Sequence, residues 1–185
     1  MNKCFLVALG DEVGNIDMIE NVPVFISGIG KLNSAVSTSK LINMGYTEII
    51  NIGSCGSKKH SVGEVIKIGK HLQDIDITPI LDYGYSSENE YEIIFDETSI
   101  NSCFTTDYFY EENQKIKYSE NYIKKINNCS VFDMESFAIA KMCKENNIKF
   151  NCYKWVSDDG GYDNWRKNCD VGFNKFKDLY LKSII

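Results

Sequence analysis

Arginine is nearly missing from this chain: Arg166 stands alone among twenty basic residues, the rest being lysine. Sites that grip phosphate commonly use bidentate guanidinium forks, so this scarcity weighs against a phosphate clamp. No basic stripe stands out, and the formal net charge is −6, which argues against a general nucleic-acid binder. Histidine is scarce too. His60 and His71 are the two present; neither has a partner at ligand spacing, so no metal is expected. Pro23 and Pro79 are the two prolines. They mark no linker, and residues 1–185 read as a single domain. No CxxC pair occurs among the seven cysteines, an odd number at 4, 55, 103, 129, 143, 152 and 169. Reduced thiols packed as small hydrophobes fit this pattern better than a disulfide frame. No apolar run approaches a membrane span. The opening "MNKCFLVALGDEV" turns acidic at Asp11 and Glu12, as a buried first strand would and a signal peptide would not. A cytoplasmic protein is expected, without membrane or nucleic-acid partners.

What is present suits a globular domain. The hydrophobic fraction is 43%, enough in a chain of this length for one substantial core. Short β-rich runs alternate with helical patterns. Strands are predicted over Lys3–Ala8, Val22–Ser27, Glu48–Gly53, Glu64–Ile68, His71–Thr78, Ile100–Thr106 and Lys149–Ser157, and an apolar strand end leads into Asp133. Helices are predicted over Lys31–Met44, Ser119–Asn127, Met134–Asn146 and about Asn164–Lys182. Ala35, Val36 and Ile42 give the first helix an apolar face. Strand–helix–strand units of this kind indicate a three-layer α/β/α domain on a mixed, mostly parallel sheet. "SSENEYE", Ser86 to Glu92, reads as an exposed loop.

In such folds ligands bind beyond the carboxyl ends of the strands. Five strand ends carry acids, glycines or aromatics: "LGDE", "NIGSCGS", "TTDYFY", "FDME" and "VSDDGG". Each has a bland alternative. Asp133 reads as the natural N-cap of the following helix, with Glu135 in its first turn, where negative charge is favoured. Asp158 and Asp159 follow an apolar strand, and a partly buried carboxyl beside a second acid titrates high, which suits a general acid. "SGIGKLNSA", Ser27 to Ala35, lacks both the GxGxxG and the P-loop pattern, so a tight turn is favoured over phosphate binding. Gly53 and Gly56 let backbone approach a ligand, and Ser54 adds a hydroxyl, yet no GxSxG elbow is present. The aromatics of Asp107–Tyr110 fit a core or a platform for a flat base.

Taken in order, "ALGDEV" (8–13), "SGIGKLNSA" (27–35), "IINIGSCGS" (49–57), "VGEVIKIGKHLQDIDITP" (62–79), "TTDYFY" (105–110), "VFDMESFAIAKMC" (131–143) and "WVSDD" (155–159) resemble the purine nucleoside phosphorylase and nucleosidase superfamily. The nearest branch is the methylthioadenosine/S-adenosylhomocysteine nucleosidases. The resemblance implies that Glu12 activates the attacking water, Glu135 binds the ribose hydroxyls and Asp158 protonates N7 of the leaving purine. It also implies that Phe109 stacks on the base, the backbone of Tyr110 reads the base edge, Met134 and Ser54 lie near the sugar, and Leu9 forms an apolar wall. No cofactor is implied, the substrate is a small nucleoside, and the usual assembly is a homodimer. The phosphorylase branch carries an arginine just before its Gly-Ser-Cys-Gly motif; here Asn51 stands there. Hydrolysis is therefore expected, with phosphorolysis or nucleoside binding without turnover as the alternatives.

Four departures accompany the match. The chain is shorter than typical members. The segment between Val13 and Val22 lacks room for the family's hairpin, and that between Tyr83 and Ile100 is too short for a usual helix. Lys154 stands where the nucleosidases have an arginine supporting the ribose-binding glutamate. "KKH", Lys58 to His60, reads as a solvated loop, with a 5′-phosphate contact as its other reading.

Overall fold

The computed structural model of the chain describes residues 2–75, 92–112 and 118–184, with side chains to residue 182. Most of the loop expected at Ser86–Glu92, and the end of the strand expected over His71–Thr78, lie outside those residues. The chain runs β1 (Lys3–Val7), a 3-10 turn (Gly10–Val13), β2 (Met18–Ile19), β3 (Val22–Ile26), α1 (Lys31–Asn43), β4 (Glu48–Gly56), β5 (Val65–Ile68) and β6 (Lys70–Gln73). It continues with β7 (Glu92–Ile94), β8 (Ser102–Thr105), α2 (Glu120–Asn128), β9 (Val131–Asp133), α3 (Ser136–Glu145), β10 (Lys149–Asp158), α4 (Tyr162–Asn168) and α5 (Phe173–Ile184).

The sheet is organised around β4. Every residue of β4 is buried, as expected of a central strand covered on both faces. Along one edge β10 runs parallel to it, from Lys149 opposite Glu48 to Asp158 opposite Gly56. The other edge takes β1 in parallel over its first half and a single antiparallel bridge to β9 at Gly56. From there the order is β2-β3-β1-β4-β9-β8-β6-β7, with β5 beyond β10. Among the described residues five of the nine strand pairings are parallel, so the sheet is mixed and mostly parallel, as the strand–helix alternation implies.

Period-two alternation divides the core into layers. Cys4, Leu6 and Ile49 point to one face, where α1 and α3 add Leu41, Phe137, Ile139, Ala140 and Cys143. Phe5, Val7, Ile50 and Ile52 point to the other, where α5 adds Phe173, Phe176 and Tyr180. Farther along that second face, α2 packs Tyr122 and Ile126 on Phe104 and Phe132. Burial of this kind stabilises by about 25 cal/mol per Å² of apolar surface removed from water.

Several local expectations need correcting. Helix α1 buries Ser34, Thr38 and Leu41, while Val36 is half exposed; two small hydroxyls let it approach α3 closely, and Thr38 Oγ1 bonds back to the Ser34 carbonyl at 2.7 Å. The stretch after Val13, which lacks room for the family's hairpin, holds a minimal one instead. Met18 and Ile19 pair with Pro23 and Val22 around Glu20 and Asn21, both at positive φ, as a two-residue primed turn requires. The single C-terminal helix is two. Trp155 Nε1 donates to the Cys169 carbonyl at 2.6 Å, and a Cβ on Gly172 would lie 2.2 Å from the Trp155 Cβ. The chain breaks where it must pass this close to the indole.

Candidate active site

At the carboxyl ends of β1, β4, β9 and β10 lies a cavity of about 300 Å³. Its walls include all eight residues expected at a site: Leu9, Glu12, Ser54, Phe109, Tyr110, Met134, Glu135 and Asp158. Three acids from distant parts of the chain face one space, and each is at most 6% exposed.

Glu12 arrives from the 3-10 turn after β1. Its Oε1 accepts the Ser54 N–H at 2.7 Å and the Ser54 hydroxyl at 2.5 Å, and its Oε2 accepts the Leu9 N–H at 3.0 Å. Burial raises its pKa, opposed by the Ser54 hydroxyl and by Lys154. Gly53 makes the fit possible: at φ +148 its position for a Cβ is 3.1 Å from Glu12 Oε1, so any side chain would push into the carboxylate. Strand β4 runs on through Ser54 to Gly56, past the expected end at Gly53, because β10 pairs with it throughout.

Glu135 is the N-cap residue of α3 rather than a first-turn residue, since the helix starts at Ser136 instead of Met134. Its carboxylate is free to face the cavity, where Oε1 accepts the Gly30 N–H at 2.8 Å. The "SGIG" turn thus serves to hold an acid. Burial raises the Glu135 pKa to about 7, with the nearby Asp133 adding to the effect.

Asp158 ends β10. Its Oδ2 accepts the Ser157 hydroxyl at 2.7 Å, and its Oδ1 accepts the Gly160 N–H at 2.9 Å and the Gly161 N–H at 3.4 Å. Burial again raises the carboxyl above its ordinary range. Asp159 is exposed and is a minor contributor.

Aromatic rings close one side. Phe109 lies edge-on to Tyr162 and to Trp165, each 6.3 Å away, and the latter two stack at 5.8 Å. The Tyr110 ring packs into the third core cluster against Phe132 and Tyr118.

Sequence reasoning missed the support beneath the acids. Asp133, expected as an N-cap, does accept the Ser136 N–H at 2.9 Å. It also pairs with the buried Lys154 ammonium at 2.9 Å and accepts the Thr105 hydroxyl at 2.7 Å. Burial works against its charge, but Lys154 and these donors outweigh it and hold the pKa below the usual range. Lys154, which departs from the family's arginine at this place, pairs directly with Asp133 and acts on Glu135 through its charge. A charged residue in the apolar "CYKWV" strand was the available signal, since a buried lysine needs a partner. Tyr162 and Trp165 were also missed: the helix expected from about Asn164 starts after Tyr162 and runs α4 into α5, which hides Trp165.

Among the described residues lining the cavity there is no lysine or arginine. Asn51, at the place of the phosphorylase arginine, is spent on the Leu6 carbonyl at 3.0 Å. "KKH" faces elsewhere: Lys58 pairs with Glu112, Lys59 reaches the Asn128 carbonyl, and His60 pairs with Glu64. Among the described residues no cluster of three or more His, Cys, Asp or Glu could hold a metal, and no helix is long and apolar enough to cross a membrane.

Known proteins resemble this chain in sequence and in fold. The chain is 28% identical over 176 residues to the 5′-methylthioadenosine/S-adenosylhomocysteine nucleosidase of Bacillus cytotoxicus, covering 82% of this chain and 72% of that one. Its fold matches the nucleosidase of that name from Neisseria meningitidis, solved with methylthio-immucillin-A, at a TM-score of 0.76 and 19% identity, over 96% of each chain. It also matches the futalosine hydrolase of Helicobacter pylori at a TM-score of 0.79 and 14% identity, over 99% and 97% of the two chains. At those identities the two structures speak for the fold alone. The family model described as the phosphorylase superfamily matches residues 13–183, and the chain belongs to that superfamily.

Proposed function

We propose that this protein is a nucleosidase that hydrolyses the N-glycosidic bond of a purine ribonucleoside of the methylthioadenosine/S-adenosylhomocysteine type, releasing the free base and the sugar. The observation that carries this reading is the meeting of Glu12, Glu135 and Asp158 around one cavity with an aromatic wall. Breaking the bond builds positive charge on the sugar and negative charge on the purine. Asp158, held protonated longer by burial, gives its proton to N7 of the departing base. Glu12 takes a proton from water as it attacks the anomeric carbon; burial moves its pKa toward neutrality, where a general base works best. Glu135 accepts from the ribose hydroxyls and stabilises the cationic sugar, in the two-carboxylate manner of glycoside hydrolysis. Phe109 stacks on the base, the Tyr110 main chain reads its edge, and Met134, Ser54 and Leu9 enclose the sugar.

Water is the nucleophile rather than phosphate. Phosphate would enter a space lined by four acids, Asp133 included, and, among the described residues, by no cation. Mere binding would have no use for three buried acids in one cavity, each costly to hold there.

The domain reading extends to the whole of 1–185, and the assembly is a homodimer. Ile29 lines the cavity, and beside it Leu32 is 77% exposed and Val36 46%. This apolar stripe at the mouth suits a second copy. The seven cysteines are all free thiols, in keeping with a reducing cytoplasm.

The experiment is a nucleoside panel incubated with and without phosphate, following free base and ribose 1-phosphate. Base release without phosphate is expected. Release only with phosphate, or tight binding without release, overturns the reading.

A further inference from the structure

The hydroxyl of Ser54 stands between two groups of opposite character. Trp165 Nε1 lies 3.0 Å from Ser54 Oγ, and that oxygen lies 2.5 Å from Glu12 Oε1. An indole N–H only donates. Ser54 Oγ must therefore accept from Trp165, and its own hydrogen is left for Glu12. The other two groups on Glu12, the N–H of Ser54 and of Leu9, are donors as well. Every neighbour in hydrogen-bond contact with Glu12 thus favours the ionised carboxylate, and the one that could reverse its direction is the one Trp165 touches.

The position of Trp165 is itself held. Helix α4 is tied to β10 by Asn168 Nδ2 donating to the Ser157 carbonyl at 3.0 Å and by Trp155 Nε1 donating to the Cys169 carbonyl. Trp165 also stacks on Tyr162 and meets Phe109 edge-on.

We propose that Trp165 is a positioning residue: its indole N–H orients the Ser54 hydroxyl toward Glu12 and so keeps that carboxylate ionised and aimed for water activation. This rests on the reading of Glu12 as the base. Without the indole donor, Ser54 Oγ can turn and accept from a protonated Glu12, which favours the neutral acid. A donor feeding the hydroxyl also strengthens the hydroxyl's own bond to the carboxylate. The other charged and titratable groups felt at Glu12 stay in place: the Lys154 ammonium, the Glu135 carboxyl and the more distant Cys169 thiol.

The test compares the pH profile of kcat at saturating nucleoside, where the Glu135 effect on affinity drops out, for the wild type, Trp165→Phe, and a variant with benzothienylalanine at 165, which keeps the bicyclic shape and loses the N–H. The acid limb is expected to move up by about half a unit to one unit, with kcat at pH 6 falling about three- to tenfold. In a Ser54→Ala background the same change at 165 should move the limb no further, because the effect passes through Ser54. If Trp165 only walls the cavity, KM rises and the acid limb stays where it was, and the proposal is overturned. The shape-preserving variant decides the matter should Trp165→Phe fold poorly. Glu12→Gln separates the two layers: near-normal turnover in that variant removes the base reading itself, whereas an inactive Glu12→Gln beside an unmoved limb removes the role of Trp165 alone.

Discussion

The ammonium of Lys154 lies 2.9 Å from the carboxylate of Asp133, and the two side chains are 2% and 1% exposed. This pair sits directly under the cavity: Asp133 is one residue from Met134 and two from Glu135, and Lys154 is four residues before Asp158 on the same strand. It fixes the junction from β9 into α3 against β10, and thereby the relative placing of two of the three acids.

Breaking the pair from one side should be expensive. Lys154→Met leaves Asp133 buried with hydroxyl and N–H donors but no cation, and a loss of about 3–5 kcal/mol is expected. Replacing both partners, as Lys154→Met with Asp133→Asn, should recover much of it. Urea unfolding of the two singles and the double measures the coupling; single variants costing under about 1 kcal/mol would contradict a structural pair.

Glu135 makes stability depend on pH in a definite direction. Its ordinary pKa of 4.5 is raised to about 7 in the folded protein. Between those values the folded state holds more protons than the unfolded one, so stability falls as pH rises through that window. Glu12 and Asp158 are shifted the same way. Glu135→Gln should therefore melt higher than the wild type at pH 8 and close to it at pH 4. Thermal melts across pH 4–8 check this, and equal melting temperatures at pH 8 would count against it. Nucleoside affinity should weaken below about pH 7 in the wild type, where Glu135 loses the charge that accepts the ribose hydroxyls.

Gly53 should tolerate no side chain without cost to activity. An alanine there adds a Cβ 3.1 Å from Glu12 Oε1 at a φ of +148. The backbone strain is expected to cost about 1–3 kcal/mol. Displacement of Glu12 should lower kcat by about tenfold or more, since an ångström of misplacement is enough for about a hundredfold. Steady-state kinetics with a parallel melt separates the two effects.

The candidate site was legible because it is built at strand ends. "ALGDEV", "FDME" and "VSDD" each announce a buried run meeting an acid, and the parallel topology carries those ends to one side of the sheet. What the sequence concealed depends on contacts between distant residues. The break between α4 and α5 is set by Trp155 pressing on Gly172, which the sequence does not announce, so Trp165 vanished into a longer helix and Tyr162 was left outside its start. The inward face of α1 includes Ser34 and Thr38 beside Leu41, and an apolar-periodicity rule passes over the two hydroxyls in favour of Val36. Capping rules placed Asp133 correctly as a partner of the α3 N-terminus but gave no sign of Lys154, which lies twenty-one residues on and meets it only through the sheet.

The most direct measurement is single-turnover base release from a saturating nucleoside by the wild type and by Asp158→Asn, with the affinity of each measured separately. The account predicts a rate lower by about 10²–10⁴-fold with an unchanged fold and binding within a few fold. An Asp158→Asn enzyme that releases the base at the wild-type rate would contradict it.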